Sequence, residues 1–310
     1  MSAQRSLPPR RATWRDELSK NRYLYLMAIP VVAFFVIFCY VPMYGVVISF
    51  LQYSPMKGIL GSKWVGFQHF ISFFNSHYFE RLMRNTFVIN FYDIVFGFPM
   101  PILFALLLNE VRSSAFKRTI QTVTYMPYFI SLVVVVGLLK ELVLPEGALN
   151  SLLAMFGMER ANLMGYPQYF RSLYVGSNIW QSLGFNSILY LSAISAIDPS
   201  LYEAATVDGA NRWKQVLHIT LPGISATIIT LFILRLGNMM AVGHEKIILM
   251  YNDVTRETGD VISSFVYRRG LLENDYGFAT AVGLFNSLLN CAFLVLGNQL
   301  SKTFAKQSLW

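Results

Sequence analysis

The chain has 310 residues and a formal net charge of +8, with 55% hydrophobic and only 14% charged residues, where a soluble domain carries about 25% charged. So sparse a charge inventory, with a mean hydropathy of +0.46, argues against a soluble globular enzyme and against a disordered chain. It also argues against a nucleic-acid binder, in which basic charge is concentrated and not diluted in apolar sequence.

The remaining reading is an integral membrane protein, and the elements follow in chain order. Residues 1–22 are Pro- and Arg-rich and read either as a short amphipathic helix along the membrane surface or as a disordered topogenic tail. A membrane span needs about 20 mostly apolar residues. Such stretches occur at 23–50, 86–108, 122–144, 173–197, 223–242 and 278–300. The first is too long for a signal-peptide core, and no small-residue cleavage site follows it. Pro42, Pro99, Pro101 and Pro127 fall inside these stretches and are expected to kink them. Cys39 and Cys291 lie in apolar runs without CxxC or His-cluster spacing, so neither a disulfide framework nor a structural zinc site is expected.

Lys and Arg placement sets the orientation. Six precede the first stretch (Arg5, Arg10, Arg11, Arg15, Lys20, Arg22), three follow the second (Arg112, Lys117, Arg118), two follow the fourth (Arg212, Lys214) and two follow the sixth (Lys302, Lys306). These 13 outnumber the nine of the alternate side, which lie in longer loops. Six spans with both termini in the cytoplasm satisfy the bias. The segment between the fifth and sixth spans is then an acidic outer loop.

The cytoplasmic segment 197–222 is the most informative. It opens the run IDPSLYEAATVDGANRWKQVLHITLPGI. Asp198-Pro199 is a helix start, a capping carboxylate followed by Pro at the first helical position. Asp208-Gly209 is a turn that ends this first helix. A second helix over about 210–218 carries Trp213, Val216 and Leu217 on one face. Leu221-Pro222 is expected to break it and begin the next span. Ala204 and Ala205 leave room for another backbone, and Glu203 and Asp208 place fixed charge beside that contact. Such a loop suits docking to a cytoplasmic partner.

The pattern E-A-A-x-x-D-G-A, with I-x-L-P at 219–222, resembles the EAA loop of ABC-importer permease subunits in the sugar (maltose-type) superfamily. Spacing matches at Glu203, Ala204, Ala205, Asp208, Gly209, Leu221 and Pro222. The stretches NTFVINFYDIVFGFPMPILFALLLNEV, LRLGNMMAVGHEKIILMYN and DVISSFVYRRGL, with the terminal SLW, are similar to its complex-polysaccharide or lipoprotein-type branch. The resemblance covers about residues 21–310. It implies an all-α membrane protein, the type I ABC-importer permease with six transmembrane helices and cytoplasmic termini. A six-span permease domain at 23–302 then lies between tails 1–22 and 303–310. It further implies a bacterial plasma-membrane importer of oligosaccharides. The expected partners are a second permease, a cytoplasmic ATPase dimer and an extracytoplasmic sugar-binding lipoprotein, with the seven matched residues coupling to the ATPase.

The chain holds no G-x-x-x-x-G-K-[ST] phosphate loop, no nucleophile elbow and no carboxylate pair. No cofactor is expected here; ATP and Mg²⁺ belong to the partner ATPase, and the subunit reads as non-catalytic. For the substrate path the residues suited to a sugar are Trp180, Asn186 and Tyr190 in span four, Arg235 and Asn238 in span five, and Asn286 in span six. Asn178 and Gln181 are of the same kind. Each of these amides also suits plain helix-to-helix bonding. Asp93 and Arg235 are the clearest intramembrane charges, read either as a pair between helices or as contacts for an acidic or hydroxyl-rich sugar. Lys246 is expected to snorkel from a span end. The competing readings are a stand-alone secondary transporter or channel, which leaves the 197–222 pattern unexplained, and a membrane-embedded transferase, which lacks a reactive constellation.

Overall fold

The computed structural model describes residues 20–304. The amphipathic-helix reading of the N-terminal tail, and most of the C-terminal tail, lie outside the described residues.

The order is α1 (Arg22–Phe50), β1 (Leu51–Gln52) and β2 (Lys63–Trp64), a two-residue antiparallel hairpin, then α2 (Gln68–Phe74) and α3 (Tyr78–Glu110). The bent pair α4 (Ser114–Phe129) and α5 (Leu132–Met155) follows, then α6 (Pro167–Ser195) and α7 (Pro199–Val207). A second bent pair, α8 (Arg212–Gly223) and α9 (Ser225–Leu236), leads on. Three short helices, α10 (His244–Met250), α11 (Arg256–Gly259) and α12 (Ile262–Tyr267), precede α13 (Tyr276–Phe304).

Among the described residues three helices, α1, α3 and α13, are by themselves long and apolar enough to span a membrane, and counting each bent pair as one span brings the number to five. The fourth expected span falls on α6, whose 29 residues reach about 43 Å at 1.5 Å per residue. Its Ser, Asn and Gln content keeps it below the apolarity of the others. The third expected span is not one straight helix: α4 and α5 meet at 105°. A 3₁₀ turn at Met126–Phe129 carries Pro127, and Ser131 is extended.

Proline acts less by kinking than by widening. Three π turns, Val36–Tyr40, Asp93–Gly97 and Val216–Thr220, each end two residues before a proline, at Pro42, Pro99 and Pro222. A proline lacks the N–H for its own i→i−4 bond, and its ring presses on the carbonyl one turn back. A turn opened to i→i−5 relieves both. For this reason Pro222 does not end its helix. The π turn carries α8 past it, and the 59° bend comes at Ile224.

The long helix α6 is central, packing on α3, α4, α9 and α11. Gly184 permits its contact with α4, because a Cβ there would lie 2.3 Å from the Thr124 carbonyl oxygen. Near the residue-194 end, Ala105, Tyr190, Ile194 and Ile224 form one apolar cluster. Near the residue-170 end, Phe170, Tyr174 and Val175 join Ile89, Val136 and Ile247 in another. A third joins Phe73 and Leu82 to Met240, Ile262, Phe265 and Val282. By contrast, α1 buries no residue before Tyr44, and only its last turns rest on α13.

The segment expected as an acidic outer loop is folded around one of its acids. Asp260 is fully buried and accepts from Arg268 Nη2 and Nη1 at 2.7 and 2.9 Å and from Ser264 Oγ at 2.8 Å. Arg81 lies 3.5 Å away. Asn85 Nδ2 donates to the Asp260 and Glu257 carbonyls at 3.0 and 2.8 Å, while its Oδ1 accepts from Arg171 Nη2 at 2.8 Å. This network ties α3, α6, α11 and α12 together at the end of α6 remote from residue 195.

Candidate functional site

Two features lie along α6: a helical hairpin beyond its C-terminal end and a cavity beside its middle.

The hairpin is α7 and α8 with the turn between them. Asp198 caps α7, its carboxylate accepting from the Ser200 N–H at 2.9 Å, and this bond holds the carboxyl below its ordinary pKa. At the other end the Gly209 N–H donates to the Thr206 carbonyl at 3.1 Å and the Ala210 N–H to the Ala205 carbonyl at 2.8 Å. That is the two-bond Schellman closure, and it requires Gly209 at φ +75°. The two helices are locked by Tyr202 Oη and Thr220 Oγ1 at 3.0 Å and by Gln215 Nε2 donating to Thr206 Oγ1 at 3.0 Å. Arg212 then ties the hairpin to the end of α3, donating to Glu110 at 2.7 Å.

The outer surface of this rigid unit is apolar for a polar connector. Val207 is 88% and Trp213 75% exposed, with Leu201 and Leu217 also exposed. Glu203, Ala204, Asp208 and Gly209 are exposed beside them, Ala205 is half-buried, and Leu221 and Pro222 lie on the following π-widened helix. All seven residues of the sequence motif therefore fall on one hairpin, five on α7 and its turn and two, Leu221 and Pro222, at the end of α8. The sequence did not point to Glu110 as its anchor; no local pattern links residues 102 positions apart.

The cavity has a volume of about 540 Å³, within the range of small-molecule sites. Asp93, Phe98 and Pro101 of α3, Tyr128 of α4 and Arg235 of α9 line it, facing a polar strip of α6 made by Asn178, Gln181, Ser182, Asn186 and Tyr190, with Asn238 beyond α9. Arg235 forms an ion pair with Asp93, which opens the π turn at Asp93–Gly97. Tyr128 stacks on Phe185 with ring centroids 3.9 Å apart.

Of the six expected substrate-path residues, four line this cavity: Asn186, Tyr190, Arg235 and Asn238. Trp180 lies outside its wall and is 49% exposed. Asn286 also lies outside it, with a buried Oδ1 that has no hydrogen-bond partner among the described residues. Lys246 does not snorkel. It is only 4% exposed and donates to Asn178 Oδ1 at 2.5 Å and to the Tyr174 carbonyl at 3.4 Å. Its place on a short helix folded back against α5 and α6 could not be read from hydropathy.

The chain resembles known proteins over nearly its whole length. Polygalacturonan/rhamnogalacturonan transport system permease protein YteP of Bacillus subtilis (strain 168) is 43% identical over 95% of this chain and 92% of its own. Protein LplB of the same organism is 40% identical over 96% and 94%. Among solved structures, a bacterial alginate ABC transporter in complex with an alginate pentasaccharide-bound periplasmic protein contains a chain 41% identical to this one. The two superpose with a TM-score of 0.87 over 96% of this chain and 99% of that one. A crystal structure of a bacterial ABC transporter for import of the acidic polysaccharide alginate gives 0.85 at 42% identity, over 94% and 98%. The fold is that of a type I ABC-importer permease. Residues 97–305, which hold the hairpin and the cavity lining apart from Asp93, match the binding-protein-dependent transport system inner membrane component, and the chain belongs to that family.

Proposed function

We propose that this chain is one of two permease subunits of an ATP-driven importer of acidic oligosaccharides in a bacterial plasma membrane. Both termini face the cytoplasm, and six spans are completed by α6 and the two bent pairs. The subunit itself is non-catalytic. A separate cytoplasmic ATPase dimer uses ATP and Mg²⁺, and an extracytoplasmic binding lipoprotein delivers the sugar. The observation that carries the reading is the hairpin. It is an internally locked unit that presents apolar residues and two small alanines outward, and α6 runs from it directly into the cavity wall. ATPase closure pulling on Glu203, Ala204, Ala205, Asp208 and Gly209 would move α6 and α8 as rigid bodies and shift the bundle between pre-existing inward- and outward-open states. The polar strip Asn186, Tyr190, Asn238 and Arg235 offers amides, an aromatic face and a cation to a sugar. The acidic class is taken from relatives named for polygalacturonan and alginate.

Reconstitution into proteoliposomes tests this reading. Uptake of a galacturonate or mannuronate oligosaccharide should require the second permease, the ATPase, ATP and the binding protein together. Uptake by this chain alone, without an ATPase, would overturn the proposal in favour of a stand-alone transporter.

A further inference from the structure

The charges around the cavity do not cancel. Asp93 and Arg235, the two charged residues in its lining, form a pair. A second basic side chain stands one residue behind the wall. Lys246 is buried, and among the described residues no carboxylate lies within 4 Å of its ammonium group. Its contacts are Asn178 Oδ1 at 2.5 Å, the Tyr174 carbonyl at 3.4 Å and the face of the Tyr174 ring 5.0 Å from Nζ. A buried ammonium without a counter-ion is costly. Burial pushes the Lys246 pKa down to about 7, so an anion nearby is what would hold its charge. Such groups in membrane proteins face a function more often than they serve packing.

The contact to Asn178 has a directional consequence. An ammonium group can only donate, so it takes the amide oxygen of Asn178. The Nδ2 group of Asn178, a residue of the cavity lining, gives one N–H to the Tyr174 hydroxyl, which leaves its second N–H as the donor for an acceptor in the cavity. A positive charge one hydrogen bond behind that donor, in surroundings that screen weakly, favours an anionic acceptor over a hydroxyl.

We propose that Lys246 is a specificity-determining positioning residue that tunes the cavity, through Asn178, for carboxylate-bearing sugars. The inference rests on the import reading above and adds the residue that sets the charge preference.

The test uses the complete reconstituted transporter and two sugars, an oligogalacturonate and the same oligomer with its carboxyls reduced to alcohols. Each variant is normalised to wild type for each sugar, which cancels the binding protein's own preference. Lys246→Met should raise the uptake KM for the acidic sugar about tenfold and for the reduced sugar less than twofold. Lys246→Arg should keep wild-type selectivity. Lys246→Gln preserves a donor for Asn178 Oδ1 without the charge, and it should shift the acidic sugar alone, by less than Lys246→Met. Should Lys246→Met fail to assemble, Lys246→Gln carries the test. Equal effects on both sugars, or none on either, would overturn the inference while leaving import intact. A wild-type complex that takes up neither oligomer defeats the import reading and this inference with it.

Discussion

The hairpin at 197–224 and the cavity beside the middle of α6 are built by opposite means. The hairpin is exposed and held by short-range bonds: a cap at Asp198, a Schellman closure at Gly209 and two side-chain locks. The cavity is assembled from α3, α4, α6 and α9, and its charges are matched across helices by Asp93 and Arg235. Under the coupling role proposed above, the part that would transmit force is thus rigid through local geometry, and the chamber that would open and close is joined by contacts between separate bodies.

The strongest way to break this contrast is to remove the local geometry of the hairpin. Proline cannot reach the positive φ of Gly209 and would delete the N–H that closes α7, a combined cost of about 3 kcal/mol or more. Gly209→Pro should lower ATPase-dependent uptake about 100-fold in proteoliposomes while membrane insertion stays at wild-type level. Gly209→Asn, which tolerates the left-handed region, should lose far less. Equal losses in the two variants would mean that something other than backbone geometry matters there.

The matching experiment on the cavity separates pairing from charge. Asp93→Ala leaves Arg235 without its partner. The cost of about 3–5 kcal/mol for such a break falls to about 2 kcal/mol, because the Arg235 side chain is 41% exposed. A lowered melting temperature of the purified complex measures it. Asp93→Ala combined with Arg235→Ala should recover part of the loss, a coupling that residues acting independently would not display.

A smaller effect is expected where the hairpin meets its partner. Ala205→Trp places a large ring on the small-residue face, and uptake should fall about tenfold with the hairpin still folded. Co-purification with the ATPase subunit reads it directly: retention of a wild-type amount of ATPase, with unchanged uptake, would remove Ala205 from the docking surface.

The two regions also differed in how far the sequence disclosed them. Asp198-Pro199, Asp208-Gly209 and the two alanines are neighbours in the chain, so local stereochemistry alone placed α7 and its turn. Pro222 was misread as a helix breaker because the pattern does not reveal a π turn that absorbs it. The cavity depended on which residues of distant helices meet. Asn186, Tyr190, Arg235 and Asn238 were legible as polar groups in apolar runs. Trp180, expected on the substrate path, lies outside the lining of this cavity, because the period of α6 does not say which face turns toward it. The burial of Lys246 was invisible, since its partners Tyr174 and Asn178 lie 72 and 68 positions away. Ser264 and Arg268 are close to Asp260 in the chain, but Asn85, which closes over it, is 175 positions away.

The smallest expected effect sharpens the local half of the contrast. Asp198 is fully exposed, so its worth lies in its hydrogen bonds from Ser200, first among them the one from the N–H at 2.9 Å. Those bonds lower the carboxyl pKa. A group whose folded pKa is lowered stabilises the fold above its ordinary range and loses that contribution only as pH falls through the lowered value. Between pH 6 and 8 Asp198 is therefore ionised whether or not the hairpin is folded, and coupling should not vary with its titration. Asn supplies an equivalent capping oxygen without charge. Asp198→Asn should transport like wild type across this range, whereas Asp198→Ala should lose about twofold at every pH. If Asp198→Asn fell as far as Asp198→Ala, the negative charge and not the cap would be what the start of α7 contributes, placing Asp198 in the partner contact together with Glu203 and Asp208.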